Sequence, residues 1–217
     1  MEMKKFAVIL CGCGSMDGSE IHEAVMTLLA IDKAGCSYTV FAPNENQFHV
    51  INHVAKRPEN EQRNMMVEAA RIARGDIHDI STYNVADFDA LILPGGYGAA
   101  KNLMNYAFEG QKCSVRPDIE KIILDTYHAK KPIGALCIAP VLLAKVLKNI
   151  TITVGSDEGT IQDVESFGAT HQVTSQTEVC SDIPNLIFST PCYMVPATIK
   201  DIAASAENLI HEIVKYS

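Results

Sequence analysis

Apolar residues in this chain follow two alternating rhythms. Short apolar runs occur at residues 6–11, 37–42, 88–93 and 133–136, each bounded by glycine, proline or charged residues. Runs of that length read as strands buried on both faces. Between them lie stripes with helical spacing. Ser19 reads as the N-cap of a helix reaching Ala34, with Gly35 as its stop. Ile21, Ala24, Val25, Leu28 and Ile31 form one apolar stripe on it. Glu23, Thr27, Ala30 and Ala34 on the other side are mostly small, which predicts cover from two directions.

The rhythm continues beyond an irregular stretch. Residues 43–79 hold a polar segment, His49-Val50-Ile51-Asn52-His53, and then a helix over 65–74 that ends at Gly75. They read as an elaboration on a simpler repeat, part of a lid or a dimer surface. Pro117 opens a helix with Ile119, Ile122, Ile123 and Tyr127 on one face, and Pro140 sits in the first turn of another. A strand at 151–154 and a helix at 160–167, closed by Gly168, follow. Strand-like pieces span 171–189, including 186–189. The last helix, within 196–216, turns Ile199, Ile202, Ala206, Leu209, Ile210 and Ile213 inward. This alternation predicts an α/β fold: a mainly parallel sheet covered by helices on both faces, as one domain over residues 1–217.

Composition narrows the function classes. Hydrophobic residues make up 47% and charged residues 20% of the 217, an ordinary globular balance, and the formal net charge is -8. That charge argues against nucleic acid or an anionic membrane as partner. The apolar run after Lys4-Lys5 breaks at Gly12, too short for a signal peptide's core, and no stretch approaches the ~20 apolar residues of a membrane span. A cytoplasmic location follows by default. The seven cysteines form no regular framework and read as reduced thiols, and no spacing suggests a structural metal.

In a parallel α/β sheet, ligands bind beyond the carboxyl ends of the strands. Three turns meet that condition: residues 12–18, residues 94–98 and Cys137. Cys137 stands where a strand becomes a helix, beside free backbone N–H groups and a positive helix end, both of which favour a thiolate. The competing reading is a small buried hydrophobe. The convergence of the three turns raises the reactive reading. Gly12-x-Gly14-x-x-x-Gly18 misses the dinucleotide fingerprint by one residue and reads as a tight turn. Gly95 and Gly96, with the N–H of Ile138, offer donors for a substrate oxygen. Glu23 either complements its helix dipole or places its carboxyl beside Cys137; ionised, it would raise the thiol's pKa, and protonated, it would donate a hydrogen bond. His22, His78, His128 and His211 read as solvated, and His49 and His53 fall in the irregular segment. His171 is the first candidate for an acid/base partner and His53 the second, with a surface or core histidine as the alternative. Cys11 and Cys13 stand where they can line the same pocket.

Asp17-Gly18-Ser19-Glu20-Ile21-His22-Glu23-Ala24, Val50-Ile51-Asn52-His53, residues 94–103 from Pro94-Gly95-Gly96-Tyr97-Gly98 onward, and Cys137-Ile138-Ala139-Pro140 resemble, in order, the ElbB-like branch of the ThiJ/PfpI superfamily, which is related to class I glutamine amidotransferases. The resemblance implies a flavodoxin-like three-layer sandwich, usually dimeric, with Cys137 as nucleophile and Glu23 as its partner. Gly95, Gly96 and Ile138 would supply N–H groups. It also implies a glyoxalase that takes small dicarbonyls such as glyoxal or methylglyoxal to 2-hydroxy acids through a cysteine hemithioacetal, with no cofactor. Departures bear on this. Ile138, not histidine, follows the cysteine, against a PfpI-type peptidase. The Gly-x-Cys-x-Gly elbow and the later His-x-Glu pair of amidotransferases are missing, against glutamine hydrolysis. Gly155-Ser156-Asp157 stands roughly where other members place a histidine. The second function class is a non-catalytic redox or stress protein that uses the same cysteine as a sensor. A third is a metabolite-binding regulator of isoprenoid biosynthesis.

Overall fold

The structure, a computed structural model, describes residues 3–217. The first strand, Lys5–Ile9 (β1), sets the layering. Phe6 and Val8 turn to one apolar cluster and Ala7 and Ile9 to another, as the two-residue period requires. A helix, Ile21–Lys33 (α1), leads to Ser37–Ala42 (β2), which pairs parallel with β1. The irregular stretch then forms a small antiparallel pair, Ile51–Asn52 (β3) with Arg57–Pro58 (β4), and a short helix, Met65–Ala69 (α2). It returns to the sheet edge as His78–Asp79 (β5), beside β2.

Ala90–Leu93 (β6) crosses back to the other side of β1. A short helix, Tyr106–Glu109 (α3), and a longer one, Pro117–His128 (α4), lead to Ile133–Leu136 (β7). Pro140–Val146 (α5), Thr151–Ile152 (β8), Glu158–Ser166 (α6) and Thr170–His171 (β9) follow, with β8 and β9 paired to each other. Cys180–Asp182 (β10), Ile187–Thr190 (β11) and Ile199–Val214 (α7) complete the chain. The main sheet runs β10-β11-β7-β6-β1-β2-β5, and within it only the β10–β11 pairing is antiparallel. Its core order, β2-β1-β6-β7-β11, is the flavodoxin-like pattern. One apolar cluster takes in α1 and α7, the other α4, α5 and α6, giving three layers. β1, β6, β7 and β11 are neighbours, so the loops after their carboxyl ends crowd together at one edge. No helix among the described residues is long and apolar enough to cross a membrane.

Several expectations change in detail. Glu20, not Ser19, caps α1, through a carboxylate oxygen that accepts from the Glu23 amide at 2.8 Å. The Ser19 hydroxyl accepts instead from the Cys11 amide at 2.9 Å. The α1 stripe is rotated: Ile21 and Val25 are 42% and 40% exposed, while Glu23, Thr27 and Ala30 are buried. The helix expected over 65–74 ends at Ala69, after which the chain continues as turns. β6 starts at Ala90, two residues later than expected, because Phe88 ends a 3-10 turn. β8 stops at Ile152, and α6 begins after Asp157, whose carboxylate caps it. The final helix begins at Ile199, which is 50% exposed and not inward, because Thr198 and Asp201 form a capping box there.

Candidate active site

β7 ends at Leu136, and the chain turns through one residue, Cys137, before the helical turn that leads into α5. Cys137 has φ 58, the left-handed region that L side chains enter at a cost of about 1–2 kcal/mol. Its amide donates to the Thr190 carbonyl at the end of β11 at 2.9 Å, which holds the corner to the neighbouring strand. Strain of this kind, at a strand-to-helix corner, lifts a side chain off the sheet edge into the space above it. Cys137 is 7% exposed and forms part of a cavity of 660 Å³.

Glu23 reaches the same point from the first turn of α1. The Glu20 cap fixes that turn, and the Glu23 side chain is wholly buried. Its Oε2 accepts from the Gly95 amide at 3.0 Å. The Cys137 thiol and the Tyr193 amide approach the same carboxyl, and Oε1 is buried without a partner in hydrogen-bonding geometry. Burial, reinforced by the Glu20 charge, pushes the Glu23 pKa up to about 8, so at neutral pH it is chiefly the neutral acid.

Burial, reinforced by Glu23, also holds the Cys137 pKa well above its ordinary value, although the Gly96 and Ile138 amides pull the other way. The expected resting thiolate is therefore corrected. Desolvation outweighs the N–H groups, and α5 is only seven residues long. The pair rests as thiol and carboxylic acid.

The glycine turn after β6 makes this approach possible. A Cβ at Gly95 would lie 2.5 Å from the Cys137 Cβ and 2.6 Å from the Glu23 Oε2. Gly96 has φ +100, and a Cβ there would lie 2.3 Å from the Glu20 amide nitrogen. Of the three expected donors, the Gly95 amide is engaged by Glu23, whereas those of Gly96 and Ile138 lie beside the Cys137 sulfur and favour negative charge on it.

Groups that the sequence reading passed over complete the cavity wall. Tyr193 follows β11 in a 3-10 turn, Cys192–Met194, and its hydroxyl lies 2.8 Å from the His22 Nδ1. The same nitrogen is 3.9 Å from a Glu20 carboxylate oxygen. Glu20, His22 and Tyr193 all line the cavity, as does Asp157. His22 was read as solvated because its helix position is exposed, yet it is exposed towards this cavity. Tyr193 had a usable signal, since it lies just past the carboxyl end of a strand. Cys192 is buried, with φ 45, and burial pushes its thiol up, with Glu23 and Cys137 contributing.

The remaining candidates lie elsewhere. His171 is on β9 and is not among the residues lining the cavity; its Nε2 is buried without a hydrogen-bond partner, and burial lowers its pKa, with the Gly155 backbone pulling the other way. His53 supports the turn at 12–18, accepting from the Met16 amide at 3.3 Å. Cys11 and Cys13 do not line the cavity either. Among the described residues, no group of three or more His, Cys, Asp or Glu side chains is placed to hold a metal ion.

The sequence profile of the DJ-1/PfpI family matches residues 9–180. The rat ES1 protein homolog, mitochondrial, is 39% identical over 97% of this chain and 83% of its own length. The human glutamine amidotransferase-like class 1 domain-containing protein 3, mitochondrial, is 38% identical over 97% of this chain and 82% of its own. A crystal structure from Ehrlichia chaffeensis, described as an isoprenoid biosynthesis protein with amidotransferase-like domain, superposes with a TM-score of 0.91. It is 38% identical and covers 98% of this chain and 100% of its own. The expectation of a cytoplasmic location is overturned here. It rested on a missing export signal, whereas both matched mammalian relatives are named as mitochondrial proteins.

Proposed function

We propose, given that this chain belongs to the DJ-1/PfpI family, that it converts 2-oxoaldehydes such as glyoxal and methylglyoxal to 2-hydroxy acids through a hemithioacetal on Cys137. The observation that carries the reading is a strained cysteine in a cavity, in contact with a protonated buried carboxyl. A protonated carboxyl is bifunctional. Its free Oε1 takes the thiol proton while its own proton passes to the aldehyde oxygen, so sulfur adds to carbon without a buried ion forming. Burial, which disfavours the thiolate, favours this concerted neutral route.

The second carbonyl of the substrate then lies towards the Tyr193 hydroxyl, which His22 supports. Glu23 then takes the C1 proton on one oxygen as it passes its own to the C2 carbonyl oxygen, giving an enediol. It next delivers a proton to C2 as it takes the proton of the C1 hydroxyl. The Tyr193 hydroxyl, supported by His22, hydrogen-bonds the C2 oxygen. A thioester results, water hydrolyses it, and Cys137 leaves as the thiol. C1 is oxidised as C2 is reduced, so the route needs no external electron acceptor. The Gly96 and Ile138 amides beside the sulfur are the donors available to the oxygen of the adduct and of the tetrahedral intermediate. The test is hydroxy-acid formation by the purified protein in chelator, without glutathione, beside Cys137→Ser. Product that vanishes in the variant supports the reading, and product that persists sinks it.

A second reading, a redox sensor, is favoured by one observation: buried Cys192 lies close enough to Cys137 for Cys137 to help raise its thiol's pKa. It predicts that dilute peroxide oxidises Cys137 under conditions in which no hydroxy acid is made.

A further inference from the structure

We propose that the cavity above Cys137 selects uncharged 2-oxoaldehydes carrying an aromatic or branched apolar group and excludes anionic carbonyl compounds. The inference rests on the reading of Cys137 as a carbonyl-adding thiol and goes on to name what occupies the rest of the cavity. Size is the first reason. A volume of 660 Å³ falls in the range of about 300–1,000 Å³ that holds drug-sized ligands, far more than a two- or three-carbon dicarbonyl fills. The second is the apolar part of the lining, to which Tyr97, Ala100, Tyr106, Ile138 and Met194 contribute aromatic and aliphatic side chains.

Charge is the third reason. Glu20 and Asp157 both line the cavity, and no lysine or arginine does. The Asp157 carboxylate is held ionised by the Thr160 amide and hydroxyl, each at 2.8 Å. Lys101 does not line the cavity; its ammonium bonds the Met16 carbonyl at 3.0 Å and lies 5.3 Å from the centre of the Tyr97 ring. Arg116 is occupied by Glu45 and Asp118. His22, the one lining group that gains positive charge on protonation, already faces Glu20. A carboxylate or phosphate entering this site meets the like charges of buried Glu20 and of Asp157, with no cationic lysine or arginine side chain in the lining to offset them. A neutral aldehyde with an apolar tail meets neither penalty and removes apolar surface from water. The covalent step is unchanged: an S–C bond forms, the C=O π bond opens, and the thiol proton ends on the carbonyl oxygen.

The experiment reads occupancy of Cys137 separately from turnover. The wild-type protein is alkylated with iodoacetamide in the presence of glyoxal, phenylglyoxal or 4-carboxyphenylglyoxal, and Cys137 labelling is followed by peptide mass spectrometry. Each competitor is normalised to its hemithioacetal equilibrium with N-acetylcysteine. Hydroxy acid is measured in parallel. Phenylglyoxal should protect Cys137 at a concentration at least about tenfold below that of either other compound. Equal protection by glyoxal, or by the carboxylated analogue, overturns the inference, as does no protection by any of them. Phenylglyoxal-selective protection without hydroxy acid keeps the ligand class and overturns the glyoxalase reading. Hydroxy acid without selectivity does the reverse.

Discussion

Replacing Glu23 by glutamine should make the protein more stable at neutral pH while disabling it. The Glu23 pKa rises from 4.5 to about 8 in the fold because the carboxyl is buried and faces Glu20. Between those two values the folded state holds a proton that the unfolded chain releases. Stability from this group is therefore complete below pH 4.5 and is lost as pH rises towards 8, at about 1.4 kcal/mol per pH unit. At pH 7 the accumulated loss is about 3 kcal/mol, and above pH 8 it levels off near about 5 kcal/mol. Glutamine has the same shape, still offers an oxygen to the Gly95 amide and carries no such penalty. Urea unfolding of both proteins at pH 5, 6, 7 and 8 isolates the effect, because the Cys137, Cys192 and Tyr193 titrations that Glu23 perturbs are raised to lie above that range. The stability gap in favour of Glu23→Gln should widen steadily from pH 5 to 8. A gap that stays constant over that range would show that Glu23 ionises normally and would refute the neutral-acid account of the site. The same variant should lose about 10²- to 10⁴-fold in turnover, since the amide cannot exchange protons with the thiol.

Three further outcomes follow from the same geometry. Turnover should fall as pH rises past about 8, because Glu23 loses the proton it donates and its charge then opposes sulfur reactivity; a pH–rate profile that climbs steadily to pH 10 would point to a free thiolate instead. Gly95→Ala forces a methyl to within 2.6 Å of the Glu23 carboxylate and closer still to Cys137; it should destabilise by about 1–3 kcal/mol in urea unfolding and abolish turnover, and a variant with normal kcat would show that the contact is slack. Tyr193→Phe should lower kcat by about 10²-fold with little change in unfolding midpoint or in adduct formation at Cys137, and His22→Gln should follow it more weakly; unchanged kcat in both would remove the pair from the reaction.

The layered fold was legible because its strands are short apolar runs that stop at glycine or proline. The runs beginning at Ser37 and Ile133 needed almost no adjustment, while the first strand ends at Ile9, two residues before the expected Cys11. The capping of α1 was harder to read, since Ser19 and Glu20 both offer an oxygen and only the tertiary pull of Cys11 on Ser19 decides between them. Ile21, Val25 and Ile199 were misplaced for a related reason. Apolar spacing identifies a helical face but not whether a neighbour covers it, and Glu23 and Thr27 lie on the α1 face that is buried. The meeting of Cys137, Glu23 and the glycine turn could be anticipated, because all three flank the carboxyl ends of adjacent strands. Cys192 and Tyr193 could have been found by the same rule, but β11 is a short strand reached after several irregular turns, and the loop after it carries no glycine signature. The raised thiol pKa was not legible at all. A strand-to-helix corner suggests exposed donors, and only the packed structure shows how completely Cys137 and Glu23 are removed from water.

The most direct test of the account is the covalent bond at Cys137. With glyoxal labelled with carbon-13, NMR of the wild-type protein should show a protein-bound hemithioacetal carbon before glycolate accumulates, and native mass spectrometry should show the added mass of one glyoxal on the wild-type protein and none on Cys137→Ser. In Glu23→Gln the adduct should still be detectable at equilibrium but should form and decay more slowly. Glycolate forming with no adduct on Cys137, or forming equally well in Cys137→Ser, would contradict the account.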